Sequence, residues 1–205
     1  MKSLVNAYFI FCRAAGSVFQ LITALSLSGA LLTSAVHAAE IDSVLMEAMR
    51  IADVQKVNEA LAKGASANAY ANMIEQSYIT PLMYAALSSG VNAVEIARIL
   101  IGKGADVNAK DLLGWTPLTY ASFYGRYELA ALFLEKGADP NARSNVGWTP
   151  LMYAARSGHA EIGRLLIAKG AVADLVSKDG KTALSIAASN ERTSFVEFLN
   201  KGGIK

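Results

Sequence analysis

Cysteine and histidine are nearly missing from this chain. Cys12 is the single cysteine, and His37 and His159 are the two histidines, among 205 residues. One cysteine closes no intrachain disulfide, and a Cys/His zinc site lacks its ligands. Acid is missing from residues 1–38, which hold Lys2 and Arg13. Without that segment Lys+Arg falls from 19 to 17, equal to the 17 acids. The remainder is formally neutral, so the basic footprint of a nucleic-acid binder is lacking. Carboxylates are scattered singly, without the clustering a metal site needs. Lys201-Gly202-Gly203 reads as a helix end rather than a phosphate loop, and Asp106-Val107-Asn108 as a turn. His159 has no partners patterned for a nucleophilic set. These absences predict a protein that is not an enzyme and takes neither cofactor nor metal.

What is present begins with an apolar run. Val18–Leu32 has the length of a signal-peptide core, preceded by Lys2 and Arg13. Val36-His37-Ala38 places small or aliphatic residues before a cleavage point between Ala38 and Ala39. The expectation is a signal peptide over 1–38 and a folded part over 39–205, in the periplasm or secreted. The rival reading is an uncleaved leader that tethers the chain to a membrane, although the run is short for a span.

The folded part repeats. Gly114-Trp115-Thr116-Pro117-Leu118 returns as Gly147-Trp148-Thr149-Pro150-Leu151, and the interval from Thr116 to Thr149 equals that from Gly137 to Gly170. A fixed period of roughly 33 residues marks a stacked array. The unit has a physical logic. Thr116 can cap a helix with its hydroxyl, and Pro117 fits the first helical position, where no N–H is needed. Leu118, Ala121 and Ser122 give a small, close-packing face, and Gly125 breaks the helix. Leu129, Leu132, Phe133 and Leu134 have the spacing of a second, buried helix. Gly137 suits the left-handed residue that ends it.

These segments resemble the ankyrin-repeat family, with its Gly-x-Thr-Pro-Leu-x-x-Ala-Ala-x-x-Gly and Leu-Leu-x-x-Gly-Ala-x-x-Asn stretches. The resemblance covers roughly residues 40–205. It implies an all-α solenoid of about five helix pairs with short β-hairpin fingers, in repeats of about 40–68, 69–108, 109–141, 142–174 and 175–205. Thr119 and Met152 stand where the family usually has His, which weakens the expected helix-cap network. The first unit lacks Thr-Pro and is polar at Glu47, Arg50, Asp53, Gln55, Lys56 and Glu59, as an N-terminal cap should be. Val44, Leu45, Ala48, Val54, Val57 and Leu61 remain for its inner face. In the fifth unit Asn190-Glu191-Arg192 replaces the inter-helix glycine, and its polar surface marks the other cap. The first finger, Asn68 to Thr80, is longer than the next, Asn108 to Thr116. Added length in a repeat protein maps to a loop, often on the binding face.

The resemblance implies a surface of finger tips and first helices that binds a protein. The candidate contacts are Met73, Ile74 and Tyr78 on the long finger, Leu112, Leu113 and Trp115 on the next, and Val146 and Trp148 on the one after. Phe123, Tyr124 and Arg156 fall at the variable ends of the first helices. Aromatics and arginine are enriched at binding hot spots. For Trp115 and Trp148, packing between fingers is an equal expectation. Tyr84, Tyr120 and Tyr153, in register with Ile186, are expected in the core. The functional expectation is an exported adaptor, a monomer that binds one protein partner, and no nucleic acid, and is free of the membrane once its leader is removed. Its alternatives are an inhibitor, immunity or protective partner of one envelope enzyme, and a secreted effector acting on a host protein.

Overall fold

The computed structural model describes residues 29–74, 77–88, 90 and 92–203. Most of the expected leader lies outside them. The chain divides into two compact units between Glu40 and Ile41. Helix α1 (Gly29–Arg50) is continuous through that point and through the expected cleavage point at Ala38. Among the described residues no helix is long and apolar enough to cross a membrane.

The second unit is built from helix pairs. The end of α1 pairs with α2 (Val54–Ala62), α3 (Pro81–Leu87) with α4 (Ala93–Gly102), and α5 (Pro117–Tyr124) with α6 (Tyr127–Glu135). Then α7 (Pro150–Ser157) pairs with α8 (Ala160–Ala168), and α9 (Ala183–Ser189) with α10 (Thr193–Phe198). A π turn, Leu199–Gly203, follows. Helices α3, α5, α7 and α9 stack in one layer, and α2, α4, α6, α8 and α10 in the other. The core lies between the layers.

The local chemistry follows the repeat. Thr116 and Thr149 cap α5 and α7 by accepting from the N–H three residues on, with Pro117 and Pro150 in the first turn. Their axes therefore start at defined points, which is how equivalent helices stay in register. At Thr119 the replaced cap network is rebuilt, because its hydroxyl lies 3.1 Å from that of Thr116. After α6, Ala138 N–H donates to the Phe133 carbonyl at 2.9 Å across Gly137, whose φ is 87°. That closed turn needs a left-handed residue. Phe133 is fully buried and Leu129 and Leu132 nearly so, which for Phe133 alone stabilises the array by about 3–5 kcal/mol.

Asparagines sew neighbouring units together. Asn68 donates to the Gly104 carbonyl and accepts from Asp106 N–H. Asn108 does the same with Gly137 and Asp139, and Asn141 with Gly170 and Val172. Each side chain thus satisfies a carbonyl and an amide that the end of the second helix leaves open.

Two expectations need correction. Among the described residues only the first finger is a β-hairpin, β1 (Ala71–Ile74) antiparallel to β2 (Ser77–Ile79) with an irregularity between Asn72 and Ile74. The later fingers form turns, not hairpin ladders. Asp111 N–H donates to the Trp115 carbonyl, but Trp115 N–H donates back to the Asp111 side chain rather than to its backbone. Ser144 treats Trp148 in the same way, and Ser177 treats Lys181. A side-chain oxygen has replaced the ladder carbonyl. In the first pair Val44 faces outward at 51% exposure, while Met46 and Met49 are buried with Leu45 and Ala48.

Candidate partner-binding face

The fingers are locked to the helices by tyrosine. Tyr120, on α5, donates from its hydroxyl to Asp111 Oδ2 at 2.8 Å. Asp111 Oδ1 accepts from Leu113 N–H and Trp115 N–H. The carboxylate therefore holds the turn shut and ties it to the helix. Burial first, and then Asp111, push the Tyr120 hydroxyl well above the usual phenol range. In the next unit Tyr153 donates to Ser144 Oγ at 3.2 Å, and burial again pushes its hydroxyl up. The tyrosine stripe is core at Tyr120, Tyr153 and Ile186, and half-buried at Tyr84.

The fingers also join one another. Asn145 N–H donates to the Leu113 carbonyl at 2.9 Å, and Lys178 N–H to the Val146 carbonyl at 3.1 Å. Asn145 Nδ2 donates to Leu112, Lys110 Nζ to Arg143, and the Arg143 guanidinium to the Val176 carbonyl. The hydroxyl of Tyr70 reaches the Lys110 carbonyl and fastens the base of the first finger. The result is a row of connected turns beside the first-helix layer.

Between that row and the helices lies one aromatic cluster. The Trp115 ring centre is 5.1 Å from Tyr120, 5.5 Å from Phe123 and 4.4 Å from Tyr153. Trp148 is 5.2 Å from Tyr153, and Phe123 is 5.0 Å from Tyr124. The Arg156 guanidinium lies 5.8 Å above both Phe123 and Trp148. Edge-on and tilted ring pairs of this kind contribute beyond their buried area.

The candidate residues are therefore sorted by exposure. Leu112, Leu113 and Val146 stand open at the finger tips, at 62%, 55% and 54%. Tyr124 and Arg156 are exposed, and Phe123 is half-buried. Trp115 and Trp148 are half-buried against the core and form the floor. For them packing and surface roles coincide. Tyr78 is half-buried on β2, and Met73 and Ile74 lie on β1 of the same hairpin. Sequence reasoning missed Tyr153 as the ring joining both tryptophans, and Val176 as a fourth exposed tip residue. The signal for Tyr153 is its spacing from Ser144, which matches that of Tyr120 from Asp111. Val176 sits in a finger whose Gly-Trp-Thr-Pro motif is broken, which hid it.

His159 belongs to the frame. It precedes α8, and its Nε2–H donates to the Phe123 carbonyl at 3.2 Å. Burial lowers its pKa, and Arg192 and Arg126 lower it further, against the raising effect of that bond. Among the described residues no group of three His, Cys, Asp or Glu is placed to hold a metal. The depression lined by Arg164, Ser194, Glu197, Phe198 and Lys201 lies on the second helices, away from the aromatic floor. Its cations are partnered, Arg164 with Glu161 and Lys201 with Glu197.

No curated protein matches the chain. A family model described as ankyrin repeats (3 copies) matches residues 45–144 and again 142–205, which together span most of the second unit. With its helix pairs, capping threonines and asparagine bridges, the chain belongs to the ankyrin-repeat family, whose repeats are a non-catalytic scaffold.

Proposed function

We propose that the chain is an exported adaptor whose protein partner docks on the face between the fingers and first helices of repeats three and four. The observation that carries this is the combination of an aromatic floor with a row of exposed aliphatic tips. Leu112, Leu113, Val146 and Val176 present apolar side chains to water beside Trp115, Phe123, Tyr124 and Trp148. Contiguous apolar surface of this kind marks interaction sites, and aromatic anchors with arginine carry most of the energy at interfaces. The fingers are braced before any partner arrives, by Tyr120, Tyr153 and the finger-to-finger bonds. A braced surface loses little entropy on binding. The long first finger, with Met73, Ile74 and Tyr78, extends the face at one end.

Export is supported by the apolar run ahead of Ala38 and by the absence of acid from residues 1–38. Cell fractionation and the intact mass of the purified protein test it; a cytoplasmic chain of full mass would sink it. Docking is tested by affinity capture from a native envelope extract, with Leu112, Leu113 and Tyr124 changed to Ala as the control. Those side chains are exposed, so their loss leaves the core intact, whereas Trp115→Ala would open a cavity beneath Tyr153. One dominant protein held by the native chain and lost in the control is the expected result. Equal retention by both chains would remove this face from consideration.

A further inference from the structure

Arg156 lies over two rings and has no acidic partner among the described residues. Its guanidinium lies over two ring faces, Phe123 and Trp148, at 5.8 Å each. Ring faces attract a cation but accept none of its in-plane N–H donors in the way a carboxylate does. None of the six ion pairs among the described residues includes Arg156. A second arginine shows the contrast. Arg164 lies 4.9 Å over Phe198 and also reaches the Glu161 carboxylate at 3.3 Å. At this second seat among the described residues the acid is supplied as well.

The surroundings of Arg156 carry the same sign. Arg192 donates from Nε to the Arg156 carbonyl, so a second cation lies alongside. Arg192 and Arg126 both bear on His159, whose ring touches this edge through the Phe123 carbonyl. Two acids of the later fingers are already engaged. Asp111 is closed on two backbone N–H groups and on Tyr120. Asp179, two fingers on, is occupied by Ser177 and Lys181, which hold it down to about 2. The face thus offers apolar rings bordered by an arginine that has no ion-pair partner among the described residues.

We propose that the occupant is a protein segment carrying an Asp or Glu, whose carboxylate pairs with Arg156 while a neighbouring apolar side chain rests on Trp115, Phe123 and Trp148. This rests on the docking face proposed above and names what that face selects. Arginine presents its donors as a planar fork that matches a carboxylate two bonds at a time. The rings beneath it limit its motion, so little rotamer entropy is lost on pairing.

The test pans a displayed library of short random peptides on the full chain. Enriched peptides are then synthesised and titrated. The expected result is a shared Asp or Glu beside an apolar residue. Arg156→Gln should weaken such a peptide by about tenfold or more, as should replacing its acid by the amide. The two changes together should cost little more than either alone, because they break one pair. Arg156 is exposed, so unchanged circular dichroism should accompany the loss. Peptides that bind without any acid, yet are lost when Leu112, Leu113 and Tyr124 become Ala, would overturn the carboxylate pairing and leave the docking face standing. Peptides indifferent to those three residues, or an absence of binders, would overturn both.

Discussion

Repeats four and five make the same joint from different side chains. Between the helices of repeat four stands Gly158, with φ 83°; at the equivalent place repeat five has Glu191, with φ 57°. Both are left-handed, a conformation that strains any residue with a Cβ. The difference is what comes next. A Cβ on Gly158 would lie 2.8 Å from Arg192 Cδ, and one on Gly125 would lie 2.6 Å from His159 Cε1. Gly125 and Gly158 are each pressed by the following repeat. No sixth repeat follows Glu191 among the described residues, so only the backbone strain remains. Trp148 and Tyr153 change likewise to Lys181 and Ile186. The floor and the finger anchor belong to repeats three and four, and repeat five keeps the joint while lacking both.

The comparison breaks most sharply at Gly125. Gly125→Ala adds left-handed strain and drives the imidazole of His159 off the Phe123 carbonyl, for a destabilisation of about 3 kcal/mol. Gly158→Ala should cost roughly half as much, because a flexible arginine yields where a seated ring does not. Urea midpoints of both variants decide this, and equal losses would mean that crowding by the next repeat is not felt.

The finger anchors come next. Tyr120→Phe strips a charge-assisted bond from Asp111 and should cost about 2 kcal/mol, while Tyr153→Phe strips a neutral one from Ser144 and should cost about 1 kcal/mol. Amide hydrogen exchange should rise at Leu113 in the first variant and at Gly147 in the second. Loss of stability without added exchange in the fingers would show that the tyrosines serve the core alone.

A pH scan sharpens the role of His159. Its folded pKa is lowered, chiefly by burial, so the unfolded chain binds the proton more readily. The stabilisation is fully present above the unfolded value of about 6.5 and is lost as pH falls through the lower folded value. His159→Gln should flatten stability in that window, as read from thermal midpoints. An unchanged slope would assign the acid sensitivity elsewhere. The smallest effect is expected at Glu191→Gly, which relieves the strain but adds unfolded-state entropy, for a net gain of about 0.5 kcal/mol.

The sequence alone carried the period, the helix caps and the identity of the buried stripe, because Thr116, Pro117, Gly137 and Phe133 act within one or two turns of the chain. Local sterics and local hydrogen bonds decide such residues wherever they occur. It also named Trp115, Phe123 and Trp148, since the tryptophan recurs before the Thr-Pro caps at Thr116 and Thr149 and Phe123 stands at a helix end. It could not show that the later fingers trade ladder carbonyls for Asp111, Ser144 and Ser177, because both arrangements suit a short turn. Nor could it show that Tyr153 bridges both tryptophans or that Arg156 spans rings from two repeats. Those contacts join side chains of successive repeats, far apart along the chain, and only the stacking of one unit on the next brings them within reach.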